Sequence, residues 1–192
     1  MYPLNSRRPE RVPAHTNEDG DGVVVGDGPV ALDEYIDFQC PYCRMFAESS
    51  GPVVDRLVAD GRITVTYHPV AILDDMSTTR YSTRAAAASG CAADEGRFVA
   101  YAYALFAGQP PEGGAGLSDD ELVALGASAG LGGAFASCVR GGLYRDWPPY
   151  VTARAVERGL RGTPTVLVEG TAVPPYPGPV VTAVETALRH PV

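Results

Sequence analysis

Cys40-Pro41-Tyr42-Cys43 is the segment of this chain whose residue types and spacing are best suited to chemistry. A Cys-x-x-Cys pair serves either thiol–disulfide exchange or metal binding, and its surroundings separate the two. A run that reads as a strand, Val30 to Phe38, leads into the first cysteine, and the pattern predicts a helix from Tyr42 to Ala59. A helix N-terminus offers unpaired N–H groups and the positive end of the macrodipole, and both favour an anion. Cys40 is therefore placed to be a thiolate of lowered pKa, and the thiolate is the attacking species. Cys43 follows on the same helical face, close enough to form a disulfide with Cys40 or to resolve a mixed disulfide formed there. Pro41 falls in the first helical turn, where its missing N–H is no loss. A zinc site would need four ligands, and Cys91 and Cys138 do not form a second Cys-x-x-Cys knuckle, so no metal is expected. The plain alternative is a pair of core cysteines without chemistry.

Two further features support the redox reading. Gly162-Thr163-Pro164-Thr165 stands at the entrance to a predicted strand, an awkward place for proline. A cis bond at Thr163-Pro164 would account for it and turn the Thr163 backbone toward an extended peptide, whereas an ordinary turn proline is the simpler alternative. Read at period two, Val30, Leu32, Glu34, Ile36 and Phe38 share one face, and Glu34 is the only charge on it. Burial would raise the pKa of that carboxyl and let it relay a proton to or from Cys43, unless Glu34 reaches solvent at a sheet edge.

The elements that must position these residues follow in order. Val23-Val24-Val25 is a short strand candidate, ended by Gly26-Asp27-Gly28-Pro29. The strand Val30–Phe38 and the helix Tyr42–Ala59 come next, with a kink expected at Pro52. Arg62 to His68 alternates as a strand, and His68 reads as structural. Strand signals then vanish for about eighty residues, replaced by helical segments at Arg80–Ala107, Ser118–Ala129, Gly133–Val139 and Pro148–Leu160. Ser118-Asp119-Asp120-Glu121 is a capping-box pattern. Trp147, Pro148, Pro149 and Tyr150 suggest either a peptide groove or a helix start packed on its neighbour. Thr165–Val168 and Thr171–Val173 flank the tight turn Glu169-Gly170 as a hairpin, and a final helix starts at Gly178-Pro179.

Composition narrows the class. The chain has 192 residues, 23 acidic against 15 basic, and a net charge of −8, with every basic residue an arginine. That balance argues against a nucleic-acid partner, since phosphate binding rests on clustered positive charge. No apolar run approaches the ~20 residues of a membrane-spanning helix. Met1 to Gly22 is polar, without the apolar core of an export signal, and reads as a flexible arm. The expectation is a cytoplasmic protein, or an extracytoplasmic one if an upstream anchor or signal has been removed.

The strand, the motif Asp37-Phe38-Gln39-Cys40-Pro41-Tyr42-Cys43, a long helical insertion, then Gly162-Thr163-Pro164-Thr165 with a hairpin and helix together resemble the DsbA-like thiol:disulfide oxidoreductases of the thioredoxin superfamily. The likeness runs from about Val23 to His190. It implies an α/β thioredoxin fold, a central mixed sheet flanked by helices, with a large inserted helical domain. Residues 23–76 and 160–192 would form the thioredoxin-fold domain, 77–159 the insertion and 1–22 the arm. The resemblance implies an enzyme with Cys40 as nucleophile and Cys43 as resolving thiol. Pro164 would face the disulfide as a cis-proline, Glu34 would be the buried acid, and Pro41, Tyr42 and Thr163 would flank bound substrate. Protein or peptide thiols and disulfides would be the substrates, with a further redox partner, no cofactor and a monomeric chain. The best-known strongly oxidising members carry His where this chain has Tyr42, so the resemblance does not by itself imply strong oxidising power. Actinobacterial members often carry a second disulfide in the insertion, which implies a structural bond between Cys91 and Cys138. Such a bond would stabilise by around 4 kcal/mol and would argue for an oxidising compartment.

Three other functions share some of these signals. Cys-Pro-Tyr-Cys also occurs in glutaredoxins, although the long insertion and the Thr-Pro-Thr order speak against that reading. A disulfide isomerase would commonly carry a dimerising N-terminal domain, for which residues 1–22 are too short. A redox-inactive binding or chaperone module would leave the Cys40 pKa near the ordinary ~8.5.

Overall fold

The computed structural model describes residues 7–190. Alternation along the strands builds one sheet from β1 (Val23–Val25), β2 (Val30–Ile36), β3 (Ile63–Pro69), β4 (Thr165–Val168) and β5 (Thr171–Val173), in the order β1-β3-β2-β4-β5. β2 and β3 run parallel and are joined through α1 (Pro41–Ala59), the kind of crossover that parallel neighbours require. The other pairs are antiparallel. The register sets Leu32 beside Val65 and Glu34 beside Tyr67, so one apolar face continues from strand to strand with Glu34 inside it. Phe46, Val54 and Leu57 of α1 and Val180 and Val184 of α7 (Pro177–Arg189) are buried in the same core. Pro52 lies within α1, which runs on through it.

The long connection from β3 to β4 holds a 3-10 turn (Asp74–Met76) and α2 (Tyr81–Asp94), α3 (Phe98–Ala107), α4 (Asp119–Ser128), α5 (Gly133–Gly141) and α6 (Trp147–Glu157). Ala85, Ala86, Ala88 and Ala92 of α2 are buried, and side chains this small let helices approach closely. Tyr101 meets Phe135 edge-on with ring centroids 4.9 Å apart. Cys91 of α2 and Cys138 of α5 are joined by a disulfide, their Cα atoms 5.9 Å apart. α4 opens with the reciprocal Ser118–Glu121 capping box.

Three expectations from sequence are corrected. The strand ends at Ile36 rather than Phe38, because the Asp37 carboxylate accepts the Gln39 N–H at 2.9 Å and folds the chain into a turn. Arg80–Ala107 is two helices: Gly96, at φ +65°, reverses the chain between them, a conformation that glycine adopts without a Cβ penalty. The third concerns the arm, of which residues 1–6 lie outside the described part. Its later residues are fastened to α6, since Trp147 Nε1 donates to the Gly20 carbonyl at 2.8 Å and the Tyr150 hydroxyl to that of Asp19 at 2.7 Å. Asp21 is buried and ion-paired to Arg158 at 2.7 Å. Its polar composition suggested a flexible arm, but its partners lie far along the chain. Trp147 and Tyr150 are accordingly buried at a helix start rather than lining a groove. His68 is buried too, stacked on Tyr35 and within 3.1 Å of Asp33 Oδ1.

Candidate active site

Strand pairing brings the parts of the site together. Tyr35 of β2 lies opposite Thr165 of β4, so the exit of β2 sits beside the entry to β4. Asp37, Phe38 and Gln39 lead from that exit to Cys40, the N-cap residue of α1, with Pro41 in the first turn. The Thr163–Pro164 peptide at the entry to β4 is cis. The Cys40 thiol donates to the Thr163 carbonyl at 3.4 Å, although the two residues are 123 apart in sequence.

The two thiols, both free, experience opposite fields. The Cys40 thiol is lowered to about 6. The hydrogen bond from Cys43 is the main cause; burial opposes it, and the Thr163 side chain and the N–H groups of Cys43 and Tyr42 reinforce it. The first-turn donors of α1 thus stabilise the thiolate directly. Cys43 is fully buried, and burial drives its thiol well above the ordinary range, helped by the neighbouring Cys40. Its sulfur accepts the Asp37 N–H at 3.5 Å. Glu34 lines the same small cavity as Cys43, and burial pushes its carboxyl up to about 8, with the charge of Asp55 adding to the shift.

Sequence reasoning missed the residues that hold this turn in place. The buried Asp37 carboxylate accepts from the Gln39 N–H, the Ser82 hydroxyl at 2.7 Å and the Leu73 N–H at 3.0 Å, tying the exit of β2 to α2 and to the loop after β3. Burial pushes that carboxyl up to about 7 against these hydrogen bonds, which favour the anion. Gln109 Nε2 donates to the Phe38 carbonyl at 2.9 Å and the Cys40 carbonyl at 3.0 Å. Gln39 Nε2 donates to the Met76 carbonyl at 2.9 Å. Asp37 carried one usable signal, an Asp at the close of an apolar strand, where Asx turns form. Gln109 carried none. Tyr42 and Met45, in the first turns of α1, and Met76, whose carbonyl accepts from Gln39, are 67, 61 and 41 % exposed, large apolar side chains left open to solvent. The Cys91–Cys138 bond lies apart from these residues, between α2 and α5.

A family model described as thioredoxin matches residues 18–179. Reduced DsbA from Mycobacterium tuberculosis aligns with a TM-score of 0.77 and 32% identity, covering 88% of this chain and 92% of that one. Reduced DsbG from the same organism gives 0.77 and 33%, covering 88% of each chain. The serine/threonine-protein kinase PknE of M. tuberculosis is 37% identical over 131 residues, 64% of this chain but 23% of PknE. The chain therefore corresponds to less than a quarter of that relative's length. No helix among the described residues is long and apolar enough to cross a membrane. With a thioredoxin model spanning most of its length and the same fold as the mycobacterial oxidoreductases, the chain belongs to the DsbA-like thiol:disulfide oxidoreductases of the thioredoxin superfamily.

Proposed function

We propose that the chain exchanges disulfides with protein or peptide substrates through Cys40 and Cys43, with Cys40 as nucleophile and Cys43 as resolving thiol. The observation that carries this reading is the opposite polarisation of two thiols at one helix N-terminus, one lowered to about 6 and the other raised by burial. Near neutral pH Cys40 is then a thiolate able to attack, while Cys43 is a protonated reserve. In the reducing direction Cys40 Sγ attacks a substrate disulfide, and the electron pair leaves on the departing substrate sulfur. Cys43 then attacks Cys40 Sγ, the Cys40–Cys43 bond forms, and the second substrate sulfur leaves as a thiolate. The oxidising direction is the reverse of these steps.

Substrate would dock along Thr163 and Pro164 and against the apolar surface of Pro41, Tyr42, Met45 and Met76. Glu34 would exchange the Cys43 proton. Residues 23–76 with 160–192 would act as the thioredoxin-fold domain carrying these groups, and 77–159 as an inserted helical domain stapled by Cys91–Cys138. A further redox partner would restore the working form, without a cofactor.

Trapping tests the reading. Incubated with a peptide disulfide, Cys43→Ala should accumulate a mixed disulfide at Cys40, and Cys40→Ala should accumulate none and lose exchange activity. Normal exchange by Cys40→Ala would overturn the assignment.

A further inference from the structure

Behind Cys43 lies a cavity of about 30 Å³, lined by Glu34 of β2, Cys43 and Gly51 of α1, Tyr67 of β3 and Tyr103 and Phe106 of α3. A water needs about 10–15 Å³ of such space and two or more polar partners, which the Glu34 carboxyl and the tyrosine hydroxyls can supply. Glu34 and Tyr67 are buried, whereas Tyr103 and Asp55 are half-buried. The Tyr103 hydroxyl donates to Asp55 Oδ2 at 2.9 Å. Ionisable groups thus step from the buried sulfur, through Glu34 and the cavity, to a hydrogen-bonded pair at the protein surface.

The charges along this line are all of one sign. Asp55 raises the Glu34 carboxyl, and Glu34, Asp55 and the neighbouring phenols act on Tyr67 and Tyr103, with no cation among the causes. Glu34 therefore faces Cys43 and Asp55 from α1, Tyr67 from β3 and Tyr103 from α3, and among the described residues no cation contributes to holding its proton away. Gly51 keeps the outer pair in place: a Cβ there would come within 2.5 Å of the Tyr103 hydroxyl. Glycine inside a helix is destabilising relative to alanine, so its presence here gives room to that hydroxyl at some loss of helix stability.

We propose that the Tyr103–Asp55 pair is the outlet through which Glu34 exchanges the Cys43 proton with solvent, which makes both of them positioning residues for the resolving step. The proposal rests on the roles given to Cys40 and Cys43 above. When Cys43 attacks the mixed disulfide at Cys40 Sγ, its proton passes to the Glu34 carboxylate and then, by way of the cavity and the Tyr103 hydroxyl, to Asp55 and solvent. The Cys40–Cys43 bond forms, the bond from Cys40 to the substrate sulfur breaks, and that sulfur leaves with the electron pair. In the reverse direction Cys43 leaves as a thiolate and takes its proton inward along the same line.

The test uses the full chain carrying glutathione on Cys40 and follows its release by Cys43 as a function of pH. Burial is the larger cause of the raised Glu34 carboxyl and stays in place, but Asp55→Asn removes the charge that adds to it, so the midpoint of the rate profile should fall by roughly one pH unit, and Asp55→Glu should restore it. Tyr103→Phe keeps that charge but breaks the relay, so the plateau rate should fall about tenfold. Gly51→Ala displaces the Tyr103 hydroxyl without deleting any titratable group and should behave like Tyr103→Phe. Unchanged midpoint and plateau in folded Asp55→Asn and Tyr103→Phe would overturn the outlet. Failure of the unaltered chain to release glutathione would overturn the roles of Cys40 and Cys43, and the outlet with them.

Discussion

The chain holds two cysteine pairs, and the difference between them shows how surroundings decide what a thiol does. Cys91 and Cys138 are 47 residues apart in sequence, sit on two packed helices and are bonded to each other. Cys40 and Cys43 share one helical turn at the end of a sheet and are free thiols. The first pair joins the alanine-rich α2 to α5. The second meets helix N–H groups, a strand-entry carbonyl and two buried carboxyls. One arrangement favours a bond that closes a long loop; the other holds two unlike free thiols, which on the proposed function form a bond that opens and closes.

The largest expected effect comes from removing the distant pair. Cys91→Ser should lower unfolding stability by up to about 4 kcal/mol in urea titration, on loop-closure entropy. Glutathione release from Cys40 in the folded variant should stay near the unaltered rate. A large change in that rate would mean that the pairs are coupled rather than separate in function.

The next effect isolates the environment of the sheet-end pair. Glu34 titrates at about 8 in the folded chain against an ordinary 4.5, so the folded state holds its proton more tightly. The stability this confers is present below the unfolded pKa and lost as pH rises through the folded one. Glu34→Gln should therefore stabilise the protein by about 2–3 kcal/mol near pH 7 and flatten its stability between about pH 4.5 and 8. Cys40 has the opposite sign, because its thiol is lowered. Its contribution to the reduced state is present above the ordinary thiol pKa and fades as pH falls through about 6. Cys40→Ser should remove that acid-side loss in paired urea titrations of reduced protein, and an unchanged slope would contradict it. A smaller effect belongs to the helical block: Ser118→Ala should cost about 1 kcal/mol through the lost cap of α4, with the Cys40 profile unmoved.

Much of this arrangement could be read locally. Cys-Pro-Tyr-Cys at a strand–helix junction, Thr-Pro at a strand entry and Glu34 on an apolar face each depend on neighbours within a few residues, and so did the hairpin across Glu169-Gly170. What escaped depends on partners far along the chain. Asp37 finds Ser82, 45 residues on. Gln109 finds Cys40 across 69 residues, and Gly20 finds Trp147 across 127. Periodicity reports which face is apolar, but a single polar side chain reaching across the fold leaves no period behind. The break at Gly96 shows a related limit: the alanine-rich pattern on both sides concealed a glycine at positive φ.

One titration tests the opposite polarisation of Cys40 and Cys43 most directly. The reduced chain is pulse-alkylated with iodoacetamide across pH, and each cysteine is quantified by peptide mass spectrometry. Cys40 should label with a midpoint near 6 while Cys43 stays unlabelled well into the alkaline range. Two cysteines labelling together with midpoints near the ordinary ~8.5 would contradict it.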